Sequence, residues 1–222
     1  VYIGFRNNSY DKFLLLIDDI KVENLNTFDA TVTAGVNSEY TMIPVDQASI
    51  PLGGIVTNVG SNTLTNVALT ASIYNSLNVL VHSATSSTVP TMAPSGNASF
   101  SIPSWTPTVA DNYTIKYNHV QTETDGNASN DELSKTIMIT NSTYARDDAT
   151  AVGGLGIGAG NGGYIGQSFT LNTPAYLYSI RAFYTRGYIG KPHACVLWNT
   201  NGSGVPTTIL ASSDTMNYPD DN

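Results

Sequence analysis

Cys195 is the chain's single cysteine, which excludes an internal disulfide framework and any metal site built from several thiolates. Charge is scarce too. Asp, Glu, Lys and Arg make up 12% of 222 residues, about half the usual share. Nine basic residues stand against seventeen acidic ones, for a formal net charge of -8 and a pI near 4.5. A phosphate backbone or an anionic bilayer is repelled by such a surface, and no Lys/Arg run offsets it. Nucleic acid is excluded as a partner. No apolar stretch reaches the ~20 residues of a membrane span, so no membrane insertion is expected.

Catalytic signatures are missing as well. Gly-x-Ser-x-Gly does not occur, so no hydrolase elbow is indicated. His82, His119 and His193 fall in separate strand contexts without metal-ligand spacing. Gly156-Ile157-Gly158-Ala159-Gly160 is followed by Tyr164-Ile165-Gly166-Gln167-Ser168-Phe169-Thr170, a strand-like run. A dinucleotide loop needs a helix there, so the run reads as a flexible linker. A non-enzymatic chain is expected.

What replaces the missing charge is Thr, Ser, Asn and Gly. With 41% hydrophobic residues, that composition suits an all-β globular fold rather than disorder or helices. Val1-Tyr2-Ile3-Gly4-Phe5-Arg6 and Phe13 to Val22 read as a hairpin, so residues 1–24 are taken as one unit. Since the chain starts in a strand, it reads as an internal piece of a longer protein. Residues 25–40 read as a polar connector leading into the central unit. From Tyr40 to Thr140, apolar strands alternate with turns such as Gly60-Ser61-Asn62 and Pro94-Ser95-Gly96-Asn97. About seven short strands in about 100 residues predict an immunoglobulin- or fibronectin III-like β-sandwich over 25–140. Trp105 is expected to cap its core. A linker over 141–163 then leads to the opening of a second β domain, 164–222. Strands are expected there at 166–171, 178–184 and 194–198, with Cys195 as a buried, inert thiol.

Candidate sites follow from two residue types. Asp125-Gly126-Asn127-Ala128-Ser129-Asn130-Asp131-Glu132 sets many oxygens on one turn. Asp125, Asn127 and Asp131 are therefore candidate ligands for structural Ca²⁺, which takes roughly six to eight hard oxygen donors. EF-hand spacing fails, and a plain Asp/Gly/Asn turn is the alternative. Asp18 and Asp19 close a very hydrophobic strand, where acids need partners; Ca²⁺ or a solvated strand end answers that need. Tyr164, Tyr176, Tyr178, Tyr184, Tyr188 and Trp198 concentrate aromatic rings near the C-terminus. Tyr184, Tyr188 and Trp198 are the candidate carbohydrate-stacking residues, with a sheet interior as the other reading. Asn-x-Ser/Thr sequons begin at Asn7, Asn97, Asn112, Asn127, Asn141 and Asn201, as expected by chance in so Asn/Ser/Thr-rich a chain.

Two segments resemble known modules. Tyr2-Ile3-Gly4-Phe5-Arg6 with Phe13 to Ile20 resembles the last strands of the cleaved-adhesin jelly rolls of gingipain-like haemagglutinins and other secreted Bacteroidetes proteins. That resemblance extends structural calcium to Asp18 and Asp19. Tyr40 to Gln47, Val56 to Ser61, Asp111 to Ile115 and Asp125 to Asn130 look like the adhesion-type sandwich repeats that follow, similar to CARDB-type domains. The family implies export by the type nine route and a secreted or cell-surface location. Its implied function is adhesion or spacing without catalysis; a carbohydrate-binding module serving a hydrolase or peptidase is the rival. Implied partners are host or environmental glycans or proteins, together with neighbouring domains of a longer chain.

Overall fold

The computed structural model describes residues 24–36, 38–147, 162–182 and 192–217. Residues 1–23 of the hairpin unit expected over 1–24, and most of the glycine-rich run, lie outside the described residues. Between residues 30 and 140 the chain forms β1 (Ala30–Gly35), β2 (Met42–Pro44), a 3-10 turn (Val45–Gln47), β3 (Ile50–Asn58) and β4 (Leu64–Tyr74). It continues through β5 (Leu80–Thr85), β6 (Val89–Met92), β7 (Asn97–Trp105), β8 (Asp111–Val120) and β9 (Glu132–Thr140). One sheet has the order β1-β3-β7, the other β2-β9-β8-β4-β5, with β6 beside the start of β4. Pairing is antiparallel except between β2 and β9, which run parallel with Met42 beside Met138 and Pro44 beside Thr140. These two sheets face each other as an immunoglobulin-like sandwich.

The period of two along each strand builds the core. On β4, Val67, Leu69, Ala71 and Ile73 are fully buried, while Thr70 and Ser72 between them point outward. β8 adds Tyr113, Ile115 and Tyr117, and β9 adds Ile137 and Ile139. Val32, Ile50, Leu52, Val56, Phe100 and Ile102 answer from the facing sheet. Each such Ile or Leu contributes ~1.5–3 kcal/mol on leaving water. Outward faces are stitched by hydroxyls, as in Thr70–Thr85 at 2.9 Å and Thr33–Thr57 at 3.3 Å, alongside the Lys116–Glu132 ion pair at 3.0 Å. Trp105 ends β7 at 7% exposure and packs edge-on against Tyr113, with ring centroids 4.8 Å apart. Gly54 answers a close approach: a Cβ there would lie 2.4 Å from the Ala34 carbonyl oxygen, beside the bulge in β1–β3 pairing.

Register defines two poles. At the upstream pole, Ala30 opens β1 beside Asn58, and the Gly126 N–H donates to the Phe28 carbonyl at 2.8 Å. At the downstream pole, β9 ends at Thr140 beside Pro44, next to the start of β8 at Asp111. The chain thus joins the sandwich at one end and leaves at the other.

Three expectations are corrected. Residues 25–40 are not all connector, because β1 pairs with β3 and buries Ala30 and Val32. The strands expected at 166–171 and 178–184 are absent from described residues 162–182, whose backbone joins no ladder. Phe169 instead stacks on Tyr40, centroids 5.9 Å apart. Cys195 is only half-buried; it sits just before β11 (Val196–Thr200), which pairs with β12 (Pro206–Ser212). β10 (Pro192–His193) pairs with β13 (Met216–Asn217).

Candidate functional site

The loop between β8 and β9 folds over the upstream pole. Asp125 Oδ1 accepts the Asn127 N–H at 2.7 Å, closing an Asx turn. A Cβ on Gly126 would meet Asn26 Cβ at 2.9 Å, so only glycine lets this turn press onto the incoming chain. Asp125 Oδ2 accepts the Ala30 N–H at 2.9 Å and Gln121 Nε2 at 3.3 Å. Thr31 donates to the Asn130 carbonyl at 3.1 Å. The loop is therefore strapped to β1, which belongs to the other sheet.

Into this loop β8 delivers a histidine. Tyr113, Ile115 and Tyr117 face the core, so the same parity turns His119 inward; its side chain is 3% exposed. Its Nε2 lies 3.1 Å from Asp131 Oδ1 and 3.6 Å from Asp125 Oδ2. Asp29, 4% exposed, lies close by and accepts from Asn26 Nδ2 at 2.6 Å and Asn130 Nδ2 at 3.0 Å. Two carboxylates thus face one imidazole, with Asp29 tied to the same loop through Asn130. Among the described residues no lysine or arginine pairs with any of them. The hydroxyl and N–H of Thr65 hold the neighbouring Glu123 carboxyl below its ordinary value. This arrangement can act as a hydrogen-bonded ionic cluster, or hold a cation between His119, Asp125 and Asp131, whose ligand atoms all lie within 4.8 Å of one another. One imidazole with two carboxylates fits calcium poorly, because that ion asks for an all-oxygen shell.

The downstream pole is aromatic. Arg146 lies over Tyr40, its Cζ 4.9 Å from the ring centroid, and pairs with Glu39 at 2.7 Å. Burial, with Tyr40 and Asp46 nearby, pushes the Tyr144 phenol up to about 12. Gln47 is 2% exposed, and its Oε1 accepts the N–H groups of Asn172 at 2.9 Å and Thr173 at 3.1 Å. Its Nε2 donates to the Thr173 carbonyl at 3.2 Å. A groove of about 540 Å³ nearby is lined by His82, Trp105, Val109 and Tyr113. Trp105 and Tyr113 pack on each other and are almost fully buried, which leaves no ring face free for a sugar.

Of the residues singled out in the sequence, Asp125 and Asp131 come together. Asn127 does not join them, since its Oδ1 accepts from the Ser129 hydroxyl at 2.7 Å. His119 corrects the view of three unrelated histidines; the signal for it was the inward parity of β8 carried one step past Tyr117. Asp18, Asp19, Tyr184 and Tyr188 lie outside the described residues. Trp198 is half-buried on β11 and packs edge-on with Tyr164, centroids 5.3 Å apart. Tyr176 and Tyr178 are 88% and 91% exposed.

No protein-family model matches the chain, and no curated protein matches it. Solved structures similar to it include the CARDB domain of a Pyrococcus furiosus protein, crystallised in complex with di-metal ions. That match has 17% identity and a TM-score of 0.40, and covers 57% of this chain and 100% of that one. A domain of a protein described as a cell-surface protein of Methanosarcina acetivorans is also similar. Its identity is 17% and its TM-score 0.32, covering 55% of this chain and 96% of that one.

Proposed function

We propose that the chain supplies a non-catalytic, in-line spacer module of the adhesion type to a secreted or cell-surface bacterial protein. The observation that carries this reading is the placement of the two chain connections at opposite poles of the sandwich. A unit so connected adds its full length to whatever it joins. Nine residues of β9 at about 3.3 Å each make that roughly 30 Å. Gln47 and Tyr40 support the reading further, since they fasten residues 169–173 to the downstream pole instead of leaving a loose joint.

Spin labels at Leu25→Cys and Ser142→Cys, in the full chain with Cys195→Ser, test this geometry. A single narrow distance of about 30 Å or more is expected. A broad distribution, or one centred below about 20 Å, would remove the in-line spacer. The exposed rings of Tyr164, Tyr176 and Tyr178 favour carbohydrate binding as the second reading. Selective binding on a glycan array, lost when those rings are replaced by alanine, would put it first.

A further inference from the structure

We infer that His119, Asp125 and Asp131 form a binding site for a divalent transition ion of the zinc class, which fastens the two sheets together at the upstream pole. The first reason is geometric. Zinc holds imidazole nitrogen and carboxylate oxygen at about 2.0–2.2 Å in a tetrahedron, whose edges are then about 3.3–3.5 Å. The observed Nε2 separations of 3.1 and 3.6 Å from the two carboxylates bracket that edge. The two carboxylates themselves offer oxygens within 4.8 Å of each other.

The second reason is the unbalanced polarity of the site. His119 is buried, its ring facing the carboxylates, and its Nδ1 has no hydrogen-bond partner. Gln121, whose amide nitrogen touches Asp125, keeps its Oε1 buried and unpaired. Rotation of that amide offers Oε1 as a fourth ligand, with water as the other candidate. Asp125 and Asp131 together bring more negative charge than one imidazole can offset, and charge largely withdrawn from water demands a partner. Borderline metals accept nitrogen with oxygen, whereas calcium and magnesium prefer oxygen alone. The backbone N–H of Ala30 on Asp125 is the kind of outer contact that holds a ligating carboxylate in place. His119 and Asp131 belong to one sheet and its loop, and Ala30 to the other, so an ion here would close the seam between them.

The test uses the full chain carrying Cys195→Ser, which removes the thiol as a competing ligand. After treatment with chelator, Zn²⁺ and Ca²⁺ are added separately and melting temperature is followed, with Co²⁺ as a spectroscopic probe. The expected result is a rise of about 10 °C at a hundredfold excess of Zn²⁺ over its Kd. A tetrahedral Co²⁺ spectrum should accompany it, and Ca²⁺ should have no effect. Asp131→Asn and His119→Gln should each weaken Zn²⁺ binding at least tenfold while far-UV circular dichroism stays native; Asp131, a quarter exposed, is the variant better placed to fold. A response to Ca²⁺ alone overturns the proposal, as does no response to either ion. Zn²⁺ binding undiminished in both variants also overturns it, by placing the ion elsewhere.

Discussion

Between residues 30 and 140 the strands share one core, with Leu69, Ala71, Ile73 and Tyr117 fully buried. Along β12 every residue from Pro206 to Ser212 is exposed, including Ile209 and Leu210 at 51% and 60%. Both regions carry β-forming residues and sound turns. Asn201, for example, accepts the N–H groups of Ser203 and Val205 at 3.0 Å, as good a turn as any in the sandwich. What differs is the second layer. β4 has a sheet across from it, whereas the β11–β12 ladder is two-stranded and has none among the described residues. A hairpin without an opposing layer is marginal in water. Strand propensity makes ladders, but a facing sheet makes the core.

Each region holds one tryptophan, Trp105 in the sandwich and Trp198 on β11, so the contrast can be read separately by fluorescence. In a Trp198→Phe background, Leu69→Ala is expected to cost about 2–5 kcal/mol in urea unfolding. Leu210→Ala, read through Trp198 with Trp105→Phe, should change stability by no more than about 0.5 kcal/mol. Similar losses at the two sites would erase the distinction.

Gln47 lies where the sandwich meets the following segment, and Gln47→Ala should have an intermediate effect of about 1–3 kcal/mol. The N–H groups of Asn172 and Thr173 would lose their acceptor, so their exchange with solvent should speed up while that of Leu69 stays slow. Unchanged protection at 172 and 173 would mean that the amide does not join the two regions.

The smallest effect is alkaline. Tyr144 ionises near 12, above its ordinary 10.0, because burial, then Tyr40 and Asp46, favour the neutral phenol. Burial moves Tyr113 and Tyr117 in the same direction. A raised pKa contributes stability that is fully present below pH 10 and is lost as pH climbs through the folded value. The sandwich should therefore weaken gradually between pH 10 and 12, seen by phenolate absorbance alongside circular dichroism. Tyr144 ionising near 10 with the fold intact would contradict the burial assigned to it.

Much of the sandwich was legible because its main strands obey local rules. β3, β4, β8 and β9 alternate apolar and polar residues, and Asn, Gly, Ser and Asp mark the turns between them. β1 was not legible. Ala30-Thr31-Val32-Thr33-Ala34-Gly35 has small side chains and reads as connector until β3 lies alongside and the sheets close over Ala30 and Val32. Phe169 and Leu171 misled in the other direction, since their spacing suggests a strand while the neighbouring backbone is bonded to Tyr40 and Gln47. At the candidate site, Asp125 and Asp131 stood out as oxygen-rich turn residues. His119 did not, because its meaning depends on the loop folding back over the end of β8.

By itself the sequence determined an all-β class, an acidic surface without basic runs and the outline of a two-sheet sandwich. Those properties depend on composition and on contacts between near neighbours, which any reading of the chain can reach. Which strands pair, which pole receives the chain and which residue joins the carboxylates were decided only by tertiary structure. Those contacts link distant positions, as where Asp125 accepts the N–H of Ala30 across 95 residues. Nothing local in either segment specifies such a bond. Burying the shared core brings the two segments together, and the polar groups that meet there must then satisfy one another.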